Sequence, residues 1–338
     1  MPLPSLPSGM AFVRVLAAVP LCAAILVACE KPSPHAGASA DPKGAPTPGA
    51  TGAATLAASS GTVPSASTTA GTAAAKTPPD PKRYPWLEDG TKHPPAEGSL
   101  VDRFAAPAGF TRVKVAAGSF GEYLRTLPVA APGTPVLSFR GDVLREGTHP
   151  HVAAVVAIDV GGRDLQQCAD SIVRLHAEWR RASGRGDVSY KAFSGFEMPY
   201  ARYRKGDRFH EAGNDLAWSH DAKEGDSRES FRKYLDAVFT YANTVALARD
   251  AKKVERDQLA PGDFFVQGGT PGHAVIVLDL VEAKDGKRKA LLGQGFMPAQ
   301  NFHVLRGDGD DAWFSLDAAT IATPFWEPFA WASARRLE

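Results

Sequence analysis

The chain lacks most of the signals that mark a nucleotide-dependent or nucleic-acid-binding protein. In 338 residues it carries a net charge of +1 and no basic tract, so there is nothing with which to bind a polyphosphate backbone by releasing its counterions. No G-x-S-x-G, no G-x-G-x-x-G and no phosphate loop occurs. Nucleotide chemistry and a serine-hydrolase elbow are therefore unsupported. No cofactor is implied. Long apolar runs are absent too. The N-terminal one, about fourteen residues, falls short of the ~20 that a transmembrane helix needs. Cysteine is the scarcest informative residue: Cys22, Cys29 and Cys168 are the whole supply.

What is present begins at the N-terminus. Arg14 precedes an apolar stretch that ends in Ala23-Ala24-Ile25-Leu26-Val27-Ala28-Cys29 and leads into polar, Pro-rich sequence. Leu26 at −3, small or β-branched residues at −2 and −1, and Cys29 at +1 resemble the bacterial lipobox. That resemblance implies that residues 1–28 are a signal peptide, that Cys29 carries lipid, and that the membrane is a partner through this anchor. Glu30 stands where an aspartate would suggest inner-membrane retention, which favours the outer membrane, facing the periplasm. Cys22 then leaves with the signal and Cys29 is consumed, so Cys168 is the one thiol of the mature domain and no internal disulfide can form. A lone thiol in an oxidising compartment is either buried and inert or used.

From residue 29 to residue 82 the chain is almost all Ala, Gly, Ser, Thr and Pro. It lacks the apolar side chains needed to offset ordering entropy and reads as a disordered tether. Its root-mean-square span would be about 40 Å and its maximum reach about 165 Å. Aromatics return at Tyr84-Pro85-Trp86, and residues 83–338 read as one globular domain.

Within it, Thr111–Val115, Phe264–Val266, His273–Leu280 and a return strand from Ala290 after the Asp285-Gly286 turn are expected strands. Phe120–Arg125, Asp164–Arg181 and Ser230–Ala248 are expected helices. Val152–Ile158 fits either a buried strand or the spine of a helix. The fold class is α+β, an antiparallel sheet with packed helices.

The chemistry-bearing residues are few. Asp164-Leu165-Gln166-Gln167 has the form of a capping box, which places Cys168 in the first helical turn, where N–H groups and the helix dipole favour thiolate. Against this, Cys168, Ile172, Leu175 and Trp179 form an apolar stripe, and a buried cysteine is an ordinary core residue. Downstream, Pro261-Gly262-Asp263-Phe264-Phe265-Val266 is followed by a Gly-rich loop and by His273-Ala274-Val275-Ile276-Val277, a histidine opening an apolar strand. His149 and His151 supply two imidazoles but no third metal ligand at a recognisable spacing. Arg140, Asp142, Arg202 and Arg204 fit either an anion cleft or a solvated surface. Trp313, Phe325, Trp326 and Trp331 fit core better than a sugar platform.

The order cysteine at a helix start, Pro-Gly-Asp turn, strand-opening histidine resembles NlpC-type and related papain-like cysteine peptidases. The resemblance implies a papain-like core with insertions, Cys168 as nucleophile, His273 as base and a polar residue on the next strand to orient it. Gln294 is first by order along the chain, then Gln300, then His303. A tight turn at Asp285-Gly286 would put Gln294 opposite Val277 unless a bulge intervenes. The about hundred residues between Cys168 and His273 require an insertion. Gln167-Cys168-Ala169-Asp170, Pro271–Val277 and Phe296-Met297-Pro298-Ala299-Gln300 also resemble an uncharacterised bacterial lipoprotein family, a domain of unknown function. That family brings no activity with it; the peptidase resemblance implies a cysteine-dependent amide or peptide hydrolase near the cell wall, with peptidoglycan or an envelope peptide as partner. The alternative is a non-catalytic envelope binding or scaffold domain of the same fold.

Overall fold

The computed structural model describes residues 78–338, and these fall in a single compact unit. The expected signal peptide, the lipidation site at Cys29 and the tether up to residue 77 lie outside the described residues. Among the described residues no helix is long and apolar enough to cross a membrane.

The framework is an antiparallel sheet of nine strands: β1 Phe110–Arg112, β2 Val152–Val155, β3 Lys252–Lys253, β4 Phe264–Gln267, β5 His273–Ala283, β6 Arg288–Gln294, β7 His303–Leu305, β8 Trp313–Ser315 and β9 Ala334–Arg336. The path runs β3-β9-β4-β5-β6-β7-β2, with β8 added beside β6 and β1 beside β5. Four helices matter for the site: α1 Phe120–Arg125, α2 Cys168–Ala182, α3 Arg228–Tyr241 and α4 Thr244–Asp250. The architecture is α+β. Val152–Val155 is a strand, which settles a choice that its apolar run left open.

β5 is the spine. Its first nine residues are buried, because both faces of the strand are covered. Ala274, Ile276 and Leu278 join the core that holds Ile172, Val173 and Leu175 of α2. Val275 and Val277 join a second core with Phe265, Leu292, Leu305 and Phe329. Alternate side chains point to opposite faces, so a strand buried on both reads as a continuous apolar run.

Two helices differ from expectation. The segment Ser230–Ala248 is not one helix, because Asn243 adopts an extended backbone and its side chain accepts from Ala246 N at 2.9 Å to cap α4. Asparagine favours an N-cap over a helix interior, so the apolar periodicity carries on across a real break. α2 starts at Cys168, four residues after Asp164. Asp164 spends its Oδ1 on Ala299 N at 2.7 Å and Gln167 Nε2 at 3.0 Å, while Asp170 Oδ2 accepts from Gln167 N at 3.2 Å. The cap is thus Gln167 with Asp170.

Candidate functional site

Cys168 is the first residue of α2 and is 4% exposed. Its thiol lies 3.9 Å from the carbonyl of Gly272, the residue before His273. Close approach of helix and sheet here depends on glycine: a Cβ at Gly295 would strike Ser171 Oγ and the Gln167 carbonyl. Burial, followed by the Asp170 carboxylate, pushes the thiol up to about 11. The backbone N–H groups of Ala169, Ala274 and Cys168 pull the other way with less effect. The thiolate expected at a helix N-terminus is therefore not what the fold stabilises. Desolvation of the charge outweighs the dipole once the terminus is buried against the sheet.

His273 opens β5 and is fully buried. Its Nε2 lies 2.7 Å from Gln294 Oε1. Gln294 Nε2 lies 3.3 Å from His303 Nε2, and His303 Nδ1 lies 3.0 Å from the Asn301 carbonyl. Only one assignment satisfies the chain. His303 donates Nδ1–H to Asn301, Gln294 donates to His303 Nε2, and His273 donates Nε2–H to Gln294. His273 Nδ1 is then an unprotonated lone pair, buried and without a hydrogen-bond partner. Burial lowers both imidazoles to about 4, so both are neutral at pH 7.

A register shift brings Gln294 into place. β5 and β6 pair Asp279 with Leu291 but Val277 with Leu292, so a bulge lies between them, and Ile276 pairs with Gly293. That register continues to put Gln294 opposite Val275, one residue nearer His273 than the unbulged Asp279–Leu291 pairing would place it and two nearer than a two-residue turn at Asp285-Gly286 would. On one face of a sheet, diagonal neighbours of this kind are within reach of long side chains. His303 pairs directly with Gln294 on β7.

Gln300 does not reach His273. Its Oε1 accepts from Arg145 Nη1 at 3.1 Å, and its buried Nε2 has no partner. Aromatic rings close the site. Phe296 and Trp326 each place a ring centroid 4.9 Å from that of His273. Phe325 is the one non-glycine residue at positive φ, +72°, among the described residues. It stacks 4.2 Å from the Arg145 guanidinium and contacts both His149 and His151. A left-handed phenylalanine costs about 1–3 kcal/mol and tends to mark functional sites.

The family profile described as a domain of unknown function, DUF4846, matches residues 100–336. The chain belongs to the DUF4846 family. No curated protein and no solved structure matches the chain.

The DUF4846 domain thus gathers Cys168, His273, Gln294 and His303 where the sheet meets the start of α2, with Gln300 to one side. Arg202 and Arg204 take no part; they pair with Asp207, Asp187 and Asp226. Among the described residues no group of three or more His, Cys, Asp or Glu is placed to hold a metal. Sequence reasoning missed Arg145 and the roles of Phe296, Phe325 and Trp326. Arg145 carries no motif, and its distinguishing property, the want of a carboxylate among the described residues, exists only in three dimensions.

Proposed function

We propose that this protein is an envelope-anchored amide or peptide hydrolase with a papain-like core, in which Cys168 attacks, His273 acts as base and then acid, and Gln294 orients His273. The reading is carried by the unpartnered Nδ1 of His273, held neutral and aimed by Gln294, on the residue whose preceding carbonyl and following N–H both meet the Cys168 thiol. In the first step Sγ–H passes its proton to His273 Nδ1 and the sulfur attacks the amide carbon. The oxyanion that forms would take N–H groups from the start of α2. Collapse breaks the C–N bond, the leaving amine takes the proton from Nδ1, and a thioester remains. Water then gives a proton to Nδ1, its oxygen attacks the thioester, and the acid leaves as the thiol regains its proton. Gln294 adds no negative charge, unlike an aspartate, so the imidazolium is stabilised only by the glutamine dipole.

A second reading, a binding or scaffold domain, is favoured by the thiol's 4% exposure and raised pKa of about 11, and by the absence of a hydrogen bond from Cys168 to His273. The deciding experiment incubates the full chain with purified peptidoglycan and a peptide-amide panel and follows released fragments by mass spectrometry. Release from the native chain is expected to vanish in Cys168→Ala and His273→Ala and to fall in Gln294→Ala. Release that persists in Cys168→Ala, or none from the native chain, overturns the hydrolase reading and leaves the binding domain.

A further inference from the structure

One ring away from His273, across Phe296, stands a guanidinium with no counter-charge among the described residues. Arg145 ends the short strand Val143–Arg145 and is half-buried. Among the described residues no carboxylate lies within salt-bridge distance of it, and its one hydrogen bond goes to Gln300 Oε1. The other buried or half-buried arginines that line up on α2 and α3 behave differently. Arg174, Arg228 and Arg232 all meet carboxylates. A half-buried cation without an acid is costly unless something else supplies the charge.

Its surroundings carry donors and aromatic faces. Gln300 is fully buried, and its Nε2 is a second donor with nothing to bond. Phe296 lies under the guanidinium at 5.6 Å and under the His273 ring at 4.9 Å, so one side chain links this corner to the candidate nucleophile's base. Guanidinium N–H groups in a planar fork plus an amide N–H make a set complementary to a carboxylate, which accepts from several donors at once.

We propose that Arg145 and Gln300 form a carboxylate-binding subsite, and that the site acts on peptide-like molecules carrying a free carboxylate close to the scissile amide. The assignment of substrate class rests on the hydrolase reading, but binding is read without turnover, so the two can fail separately. The carboxylate accepts from Arg145 and from Gln300 Nε2, while the aromatic faces of Phe296 and Phe325 hold the guanidinium in plane. Val143 and Leu144, exposed at 51% and 36%, directly precede the arginine and offer apolar contact to the rest of the ligand.

The probes are N-acetyl-alanyl-alanine and its C-terminal amide, which differ only in the carboxylate. Affinity of both is measured by titration against the full chain and against its Cys168→Ala form. The acid is expected to bind about tenfold more tightly than the amide. Arg145→Met should bring that ratio close to one, Arg145→Lys should keep part of it, and Gln300→Leu should reduce it. Circular dichroism establishes that each variant is folded. Equal affinity for acid and amide in the native chain, or an acid preference that survives Arg145→Met, overturns the subsite. An acid preference in a chain that cleaves nothing leaves the subsite standing and removes the hydrolase.

Discussion

Two buried polar clusters sit in this domain and are finished differently. Along α2, Arg174 is fully buried and meets Asp159 at 2.8 Å, Glu178 at 2.7 Å and Gln166 at 3.1 Å. Arg228 adds a second arginine to Glu178 and reaches Asp89 at 3.0 Å, and Arg232 reaches Asp159 at 3.3 Å. No buried side-chain N or O of these residues is left unpartnered; the one buried hydroxyl in their field without a partner is that of Tyr123. At the ends of the central strands, by contrast, His273 Nδ1 and Gln300 Nε2 are both orphaned, and Arg145 meets no acid among the described residues. Burial is similar in both clusters, so burial alone does not explain the difference. A saturated network specifies one packing, whereas unmet donors and acceptors clustered in one place mark where a ligand completes the set.

Breaking the saturated cluster should cost most. Arg174→Met leaves Asp159 and Glu178 short of a cation in the interior, and denaturant unfolding should show a loss of about 3–5 kcal/mol. Arg145→Met, which strands no carboxylate, should stay within about 0.5–1 kcal/mol of the native chain. If the two losses are equal, the contrast between the clusters is wrong.

Acid should expose the imidazoles next. His273 and His303 are held at about 4 in the folded chain, below the ordinary 6.5 of an unfolded histidine. Between pH 6.5 and 4 the unfolded chain therefore binds more protons than the folded one, and stability falls as pH falls, by up to about 1.4 kcal/mol per pH unit for each imidazole. Asp170, raised to about 8 by burial, works in the opposite sense over the same window, while His176, lowered to about 3 by burial, adds a third histidine in the first sense, so these two largely offset each other. Unfolding free energies of the native chain and His303→Gln across this range measure the share: the variant should show the shallower slope. An unchanged slope would place the proton uptake elsewhere.

The gentlest probe is the thiol. With Cys168 pushed up to about 11, the native protein should react with iodoacetamide more slowly than a free cysteine at pH 7, with a rate that climbs as pH approaches that value. This reverses the fast alkylation implied by a bare helix N-terminus. Mass spectrometry of the labelled peptide, run with and without denaturant, reads it. Native labelling as fast as denatured labelling would mean that the rings over the site open freely.

Local chemistry made several features legible in the sequence alone. Ser119 before Phe120 starts a helix by accepting from Glu122 N at 3.2 Å, a short-range preference that needs no tertiary context. The apolar run from His273, the Asp285-Gly286 turn with Gly286 at φ +83°, and the return strand are likewise local, and they set an antiparallel pair and the α+β class. The order Cys168, His273, Gln294 was visible as order. Contact was not. A bulge between Val277 and Asp279 moved Gln294 along its strand, and period-2 alternation makes such a shift decisive for which side chains meet. The charge state of Cys168 was also beyond the sequence, because the helix dipole is written in local spacing while desolvation depends on what covers the residue. Arg145 was the least visible of all. Its meaning lies in the acid it lacks, and only the folded chain, by bringing residues 145 and 300 together and keeping the carboxylates of the described residues away, decides that.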